Sequence, residues 1–187
     1  MPLISRLQQN LLQQDVIHAD ETPVQVYKEK GRKNPTKSYM RVFSSGEYEQ
    51  AHPIRLYEYQ TGRSDSYAEE FLKGFNGILQ TDGCTGYQKV PCQAHALCGA
   101  HARRYFVEVI PPDLREEYLL SSTYQEAIEQ INELFVLDKG LTECTIHNFT
   151  IGRKNRLFSD SPKGANADIA VYSVIETAKA NGLNPFQ

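Results

Sequence analysis

Apolar residues along the chain switch between two periods, and the switch points divide it into elements. From Val16 to Tyr27 the run VIHADETPVQVY is rich in strand-forming residues and predicts a strand carrying Asp20 near its middle. Pro23 interrupts that run, so the strand is expected to bend or restart there. SYMRVFSS and PIRLYEYQ read as second and third strands joined by SGEYEQAH, which makes three sequential antiparallel strands. Residues 65–74 then place Tyr67, Phe71 and Leu72 at helical spacing, and GILQTD follows as a short strand ending on Asp82. The segment around His95–Leu97 reads as a last short strand, and GAHARRYFVEV as a helix stopped by Pro111 and Pro112.

The clearest amphipathic helix is SSTYQEAIEQINELFVL, where Tyr124, Ile128, Ile131 and Phe135 share one stripe and Ser122 or Thr123 can cap the start. A last helix is expected from about Gly164 to Ala180 with Ile169, Tyr172 and Ile175 facing inward, and Gly182 and Pro185 marking its exit. Residues 4–14 predict a short, glutamine-rich helix. Residues 1–15 are therefore read as the remnant of an upstream helix or linker, and 16–185 as the folded domain.

A chain of 187 residues can bury roughly 70% of its unfolded surface, enough for one full core. With 20 Lys and Arg against 23 Asp and Glu, the net charge of −3 excludes a generally basic nucleic-acid coat but leaves room for a local cationic groove. The distribution of sign is informative. KEKGRKNPTKS holds five basic residues, Lys28, Lys30, Arg32, Lys33 and Lys37, against the single acid Glu29, whereas residues 112–143 hold eight acids and two bases. The first segment reads as a cationic hairpin loop whose charge is either ordinary solvation or a DNA contact; the second is not a general DNA-facing surface. No run is long and apolar enough to span a bilayer, and the start lacks the pattern of a secretory signal, so no membrane partner and a cytoplasmic location are expected. Four cysteines, Cys84, Cys92, Cys98 and Cys144, are too few for a secreted disulfide scaffold, and reduced thiols follow.

Asp20 and Asp82 each lie on or beside a strand, where sheet geometry can bring distant carboxylates together. Convergent carboxylates can hold a pair of divalent ions about 3.5–4 Å apart, one activating water or a 3′ hydroxyl and the other stabilising the leaving oxygen at phosphorus. The competing reading is that both are turn caps or solvated surface groups. Cys92, His95, Cys98 and His101 recur every three residues and invite a zinc reading, but this is not the paired-ligand spacing of a zinc site, and packing or hydrogen bonding to a neighbouring carboxylate is the better reading. His18 can orient Asp20 or be a satisfied core histidine.

HADETPVQV at 18–26, ILQTDGCTGY at 78–87, HALCGAHARRYF at 95–106 and IGRKNRLFSDSPKGANADIAVYSVIETAKANGLNP at 151–185 closely resemble, in order, the IS66 family of bacterial insertion-sequence transposases. The resemblance implies an α/β fold, a ribonuclease-H-like mixed sheet flanked by helices, partly degenerate or truncated. It implies a DDE transposase in which Asp20, Asp82 and Glu143 hold Mg²⁺, with Mn²⁺ as a substitute. Water would cleave a phosphodiester at a transposon end, and the released 3′ hydroxyl would attack target DNA. The implied partners are double-stranded DNA at transposon ends and target, and a second copy of the chain or a full-length transposase. Arg103 and Arg104, with Arg153, Lys154 and Arg156, are the implied phosphate contacts; a solvated helix face or ion pairs with the acidic segment are the alternative.

The chain departs from the family pattern around its third acid. His147 and Asn148 stand where the family has Arg-Pro, Arg156 stands where it has Trp, and the long helical interval before the Glu is compressed into 107–142. A shortened, internally deleted relative is expected, so two functions stand side by side: a metal-dependent strand-transfer enzyme, and a catalytically inactive remnant keeping DNA-binding or protein-association capacity. A simple nuclease is a third.

Overall fold

The computed structural model describes residues 2–33, 36–45, 51–108, 110, 113, 122–138 and 159–185. Its centre is a five-stranded mixed sheet built from β1 (Val16–Gln25), β2 (Lys37–Ser45), β3 (Arg55–Gln60), β4 (Ile78–Thr81) and β5 (Ala94–Leu97), in the order β3-β2-β1-β4-β5. β1, β2 and β3 form an antiparallel meander, whereas β4 and β5 run parallel to β1. Helices α1 (Pro2–Leu11), α2 (Asp65–Phe71), α3 (Gly99–Glu108), α4 (Ser122–Asp138) and α5 (Pro162–Ala180) accompany it. This is the ribonuclease-H-like mixed sheet flanked by helices that the resemblance implies. No helix among the described residues is long and apolar enough to cross a membrane.

Alternation along β1 sends successive side chains to opposite faces and so creates two cores. Ile17 and Ala19 join Leu11, Phe43, Leu56, Ala68, Leu72 and Leu79 on the face covered by α1 and α2. Val24 and Val26 join Met40, Val42, Tyr57, Tyr59 and Ala165 on the face covered by α5. Phe43 and Phe71 stack at 4.0 Å between centroids, which locks α2 onto the first face. Gly77, just before β4, has no room for a side chain: a Cβ there would meet the Phe75 ring at 2.8 Å and overlap the Asp15 carbonyl.

Two elements differ from the sequence expectation. β1 runs unbroken through Pro23, which pairs with Tyr39. β4 pairs with β1 only over Val16–His18, so Pro23 stands where β1 has a neighbour on one side and a missing N–H is tolerated. The inner stripe of α5 is also more polar than expected. Ile169 and Tyr172 do pack on the core, but Ser173, Glu176 and Thr177 are buried beside them. The Ser173 hydroxyl accepts from the Tyr57 N–H at 2.9 Å and the Thr177 hydroxyl from the Arg55 N–H at 3.0 Å, so α5 satisfies alternate backbone groups on the outer edge of β3. An edge strand otherwise open to pairing is thereby covered by a helix.

Candidate functional site: two aspartates on and beside neighbouring parallel strands

Parallel pairing aligns His18 of β1 with Gln80 of β4, and two residues further along each strand stand Asp20 and Asp82. Asp20 lies opposite Val42 and therefore on the α5 face. Burial raises the Asp20 carboxyl above the ordinary carboxylate range; the charges of Asp82 and Glu21 push the same way, while His101 and the Glu21 N–H at 2.7 Å pull it down. The two aspartates predicted from widely separated motifs thus share one electrostatic environment.

The turn after β4 holds Asp82 in place. One Asp82 oxygen accepts the Cys84 N–H at 2.8 Å and the Thr81 hydroxyl accepts the Gly83 N–H at 3.2 Å. Gly83 takes φ +85°, a conformation side chains resist, and a Cβ there would press on Leu97 at 3.1 Å. The TDG sequence is therefore an Asx-turn that aims the aspartate while reversing the chain.

From α3, His101 borders the pair. Its imidazole is raised above the usual range first by hydrogen bonding with Cys98 and then by the Asp20 charge, against burial and against Arg104. Arg104 is exposed beside this group. Arg103 is turned elsewhere: its Nε donates to the Asn132 side chain at 2.7 Å and ties α3 to α4. The Cys/His run divides into pairs, with Cys92 Sγ 3.3 Å from His95 Nε2 at the β5 edge and Cys98 beside His101. Glu143, Arg153, Lys154 and Arg156 lie outside the described residues.

The sequence reading missed a buried ionic row on the opposite face. Glu21, Arg41 and Glu58 lie in register across β1, β2 and β3. The Glu21 carboxylate is bound by Arg41 at 3.3 Å and Arg63 at 2.5 Å, and the Arg41 side chain is wholly buried. Arg41 also donates to the Ser64 carbonyl at 3.2 Å and lies 5.8 and 5.5 Å from the Tyr67 and Tyr87 ring centroids. A cation in an otherwise apolar strand was the available signal.

The donor chemistry can be compared with the divalent ion that the fold implies. Asp20 and Asp82 offer hard oxygen donors, and Mg²⁺ is commonly held by one or two carboxylates with water and phosphate completing its shell. Among the described residues no group of three His, Cys, Asp or Glu is placed to share an ion. Two carboxylates do not by themselves make a two-ion site.

The fold is a mixed sheet accompanied by helices, with Asp20 on β1 and Asp82 just after parallel β4. The sequence model described as Transposase IS66 family matches residues 1–145, and the chain belongs to this family. Two proteins of Sinorhizobium fredii are similar to it: y4hP, 25% identical across 92% of this chain and 34% of its own length, and y4jD, 31% identical across 73% of this chain and 41% of its own length. The chain thus spans well under half the length of these curated relatives. Two solved structures align over 97% of the chain: a pre-cleavage Mos1 transpososome, at 9% identity, 56% coverage of that chain and TM-score 0.39, and the Mos1 strand transfer complex, at 11%, 54% and 0.36.

Proposed function

We propose that this chain is a transposase-family domain that engages the DNA phosphate backbone without cleaving it: a shortened catalytic domain over 16–185, kept for binding or association. The observation that carries this reading is the composition of the carboxylate site. Asp20 and Asp82 meet without a third ligand among the described residues. The compressed 107–142 interval, where the family places a long helical region ahead of its Glu, supports the same reading. DNA is the expected partner because exposed Arg104 borders the site, and phosphate contacts of this kind position a protein without reading sequence.

A second reading is favoured by the meeting of Asp20 with Asp82 itself. If Glu143 completes the set, the domain belongs to an active DDE transposase that cleaves transposon ends and joins them to target DNA. Asp20, Asp82 and Glu143 would then hold Mg²⁺, which would supply Lewis-acid stabilisation at phosphorus.

Two measurements on the full chain separate these readings. Calorimetric titration with Mn²⁺, with Asp82→Asn as the matched control, is expected to give no aspartate-dependent binding. Incubation of supercoiled plasmid with Mn²⁺ is expected to leave it intact, while a labelled duplex still binds in a salt-sensitive manner. Nicking that disappears in both Asp20→Asn and Asp82→Asn overturns the non-cleaving reading in favour of the enzyme.

A further inference from the structure

The hairpin between β1 and β2 is built so that its only acid turns inward. Glu29 is 7% exposed although it stands among Lys28, Lys30, Arg32, Lys33 and Lys37. Its carboxylate accepts from the Ser38 hydroxyl, the Tyr59 hydroxyl and Arg32 Nη1, the last at 2.7 Å. Burial alone would raise this carboxyl, but the hydrogen bonds from Ser38 and Tyr59 and the Arg32 charge outweigh it and hold it below its ordinary value. Glu29 is therefore ionised and neutralised by Arg32, and it cancels none of the remaining lysine charge.

The same contacts join residues 29–32 to the start of β2. Arg32 also donates to the Ser38 hydroxyl at 2.9 Å and the Lys37 carbonyl at 3.1 Å, closing the loop across its base. Lys28 adopts φ +57° and Gly31 φ +76°, and together these left-handed residues turn Glu29 into the fold. A lysine held in that region is strained, and surrounding contacts must outweigh that strain. Lys28 is joined to exposed Asp160 at 2.6 Å, a solvent-facing pair of little net strength. Lys30, Lys33 and Lys37 are exposed and form no ion pair with another described residue.

The hairpin lies at the carboxyl end of β1, the end toward which Asp82 also points at the close of parallel β4. From Asp20 to Gln25 the strand advances about 17 Å, the length of about five base pairs along a duplex axis.

We infer that Lys30, Lys33 and Lys37 form a preorganised phosphate-binding platform, held by the buried Glu29–Arg32–Ser38–Tyr59 cluster, that grips double-stranded DNA flanking the aspartate pair. The inference rests on the DNA-binding reading above and names its surface. Preorganisation matters because a floppy lysine loop must lose conformational freedom on binding, whereas here Arg32 already ties Glu29 to Lys37 and Ser38.

The test is fluorescence anisotropy of a short labelled duplex against the full chain across a KCl series. Lys30→Gln/Lys33→Gln/Lys37→Gln is compared with Arg6→Gln/Lys73→Gln/Lys179→Gln, which removes equal charge at the opposite end of the sheet. The hairpin variant is expected to bind roughly tenfold more weakly, with a log–log salt slope shallower by about 2–3, while the control keeps the wild-type slope. Glu29→Gln, which leaves the three lysines in place, is expected to weaken binding by loosening the platform. Equal affinity and slope in hairpin and control variants overturn the platform but leave DNA binding standing. No duplex binding by folded wild-type protein, or binding to phosphatidylserine vesicles in its place, overturns the platform and the DNA-binding reading together.

Discussion

Asp20 and Glu21 are adjacent in one strand and meet opposite fates. Glu21 projects to the α2 face, where Arg41 and Arg63 bind a carboxylate that is 1% exposed. Asp20 projects to the α5 face, where no described Lys or Arg pairs with it, His101 lowers its proton affinity and a second aspartate raises it. The first is a carboxylate whose charge the fold has already answered. The second is one whose charge the fold leaves open, with Asp82 beside it. Burial alone does not separate structural from functional carboxylates; the presence of a fixed cation does.

The largest expected effect tests the answered side. Glu21→Ala leaves the fully buried Arg41 and its partner Arg63 without their anion, and breaking a buried pair from one side costs about 3–5 kcal/mol. Urea denaturation should show that loss as a lower midpoint. A loss under about 1 kcal/mol would mean that the ring contacts to Tyr67 and Tyr87, with the Ser64 carbonyl, hold Arg41 without Glu21.

Glu58 is the intermediate case and sharpens the rule. It pairs in register with Arg41, yet Arg41 is committed to Glu21 and Ser64, and Glu58 draws its one described hydrogen bond from Gln60 at 2.8 Å. Burial pushes its carboxyl up to about 7, with the Gln60 bond and the Arg41 charge opposing. A folded-state value above the unfolded one means the native state holds the proton more tightly. The Glu58 contribution is thus fully present below the ordinary carboxylate range and is lost as pH rises through about 7. The stability difference between wild type and Glu58→Gln, followed by urea midpoints from pH 5 to pH 8, should change steadily with pH in the direction that favours the variant at the alkaline end. A difference independent of pH removes Glu58 as the titrating group.

Much of this arrangement could be read from the chain before its fold was known. The three-strand meander, the helix before GILQTD and the placement of Asp20 on the first strand and Asp82 at the close of the fourth followed from periodicity and from family motifs, because strand pairing converts those signals directly into position. Period two also implies that Asp20 and Glu21 face opposite sides. What periodicity does not carry is which charged residue finds a partner across the sheet. Arg41 looks like a solvated cation in SYMRVFSS until β1 and β3 place Glu21 and Glu58 beside it. Glu29 looks like one charge among six in a polar loop until Tyr59, thirty residues on, supplies a hydroxyl. Pro23 reads as a strand break because the sequence does not reveal that β4 leaves that side of β1 after His18. These are long-range facts, and local composition does not report them.

The smallest expected effect on stability belongs to the open side, and its sign is its content. Asp20→Asn keeps the size and much of the hydrogen-bonding capacity of the side chain while removing a charge that burial and Asp82 disfavour. Because the folded-state value is raised, ionisation of Asp20 subtracts from stability as pH rises above the ordinary carboxylate range, and the amide escapes that penalty. The variant is therefore expected to be as stable as wild type at neutral pH or slightly more so, by up to about 1 kcal/mol, with the gain vanishing in acid where the native carboxyl is already protonated. Thermal unfolding of both proteins at acidic and neutral pH measures it. Destabilisation at neutral pH would show that Asp20, like Glu21, is held by a cation in the folded chain and would erase the distinction between the two faces of β1. A gain at neutral pH that disappears in acid would identify Asp20 as a carboxylate kept at a cost to the fold, in contrast to Glu21.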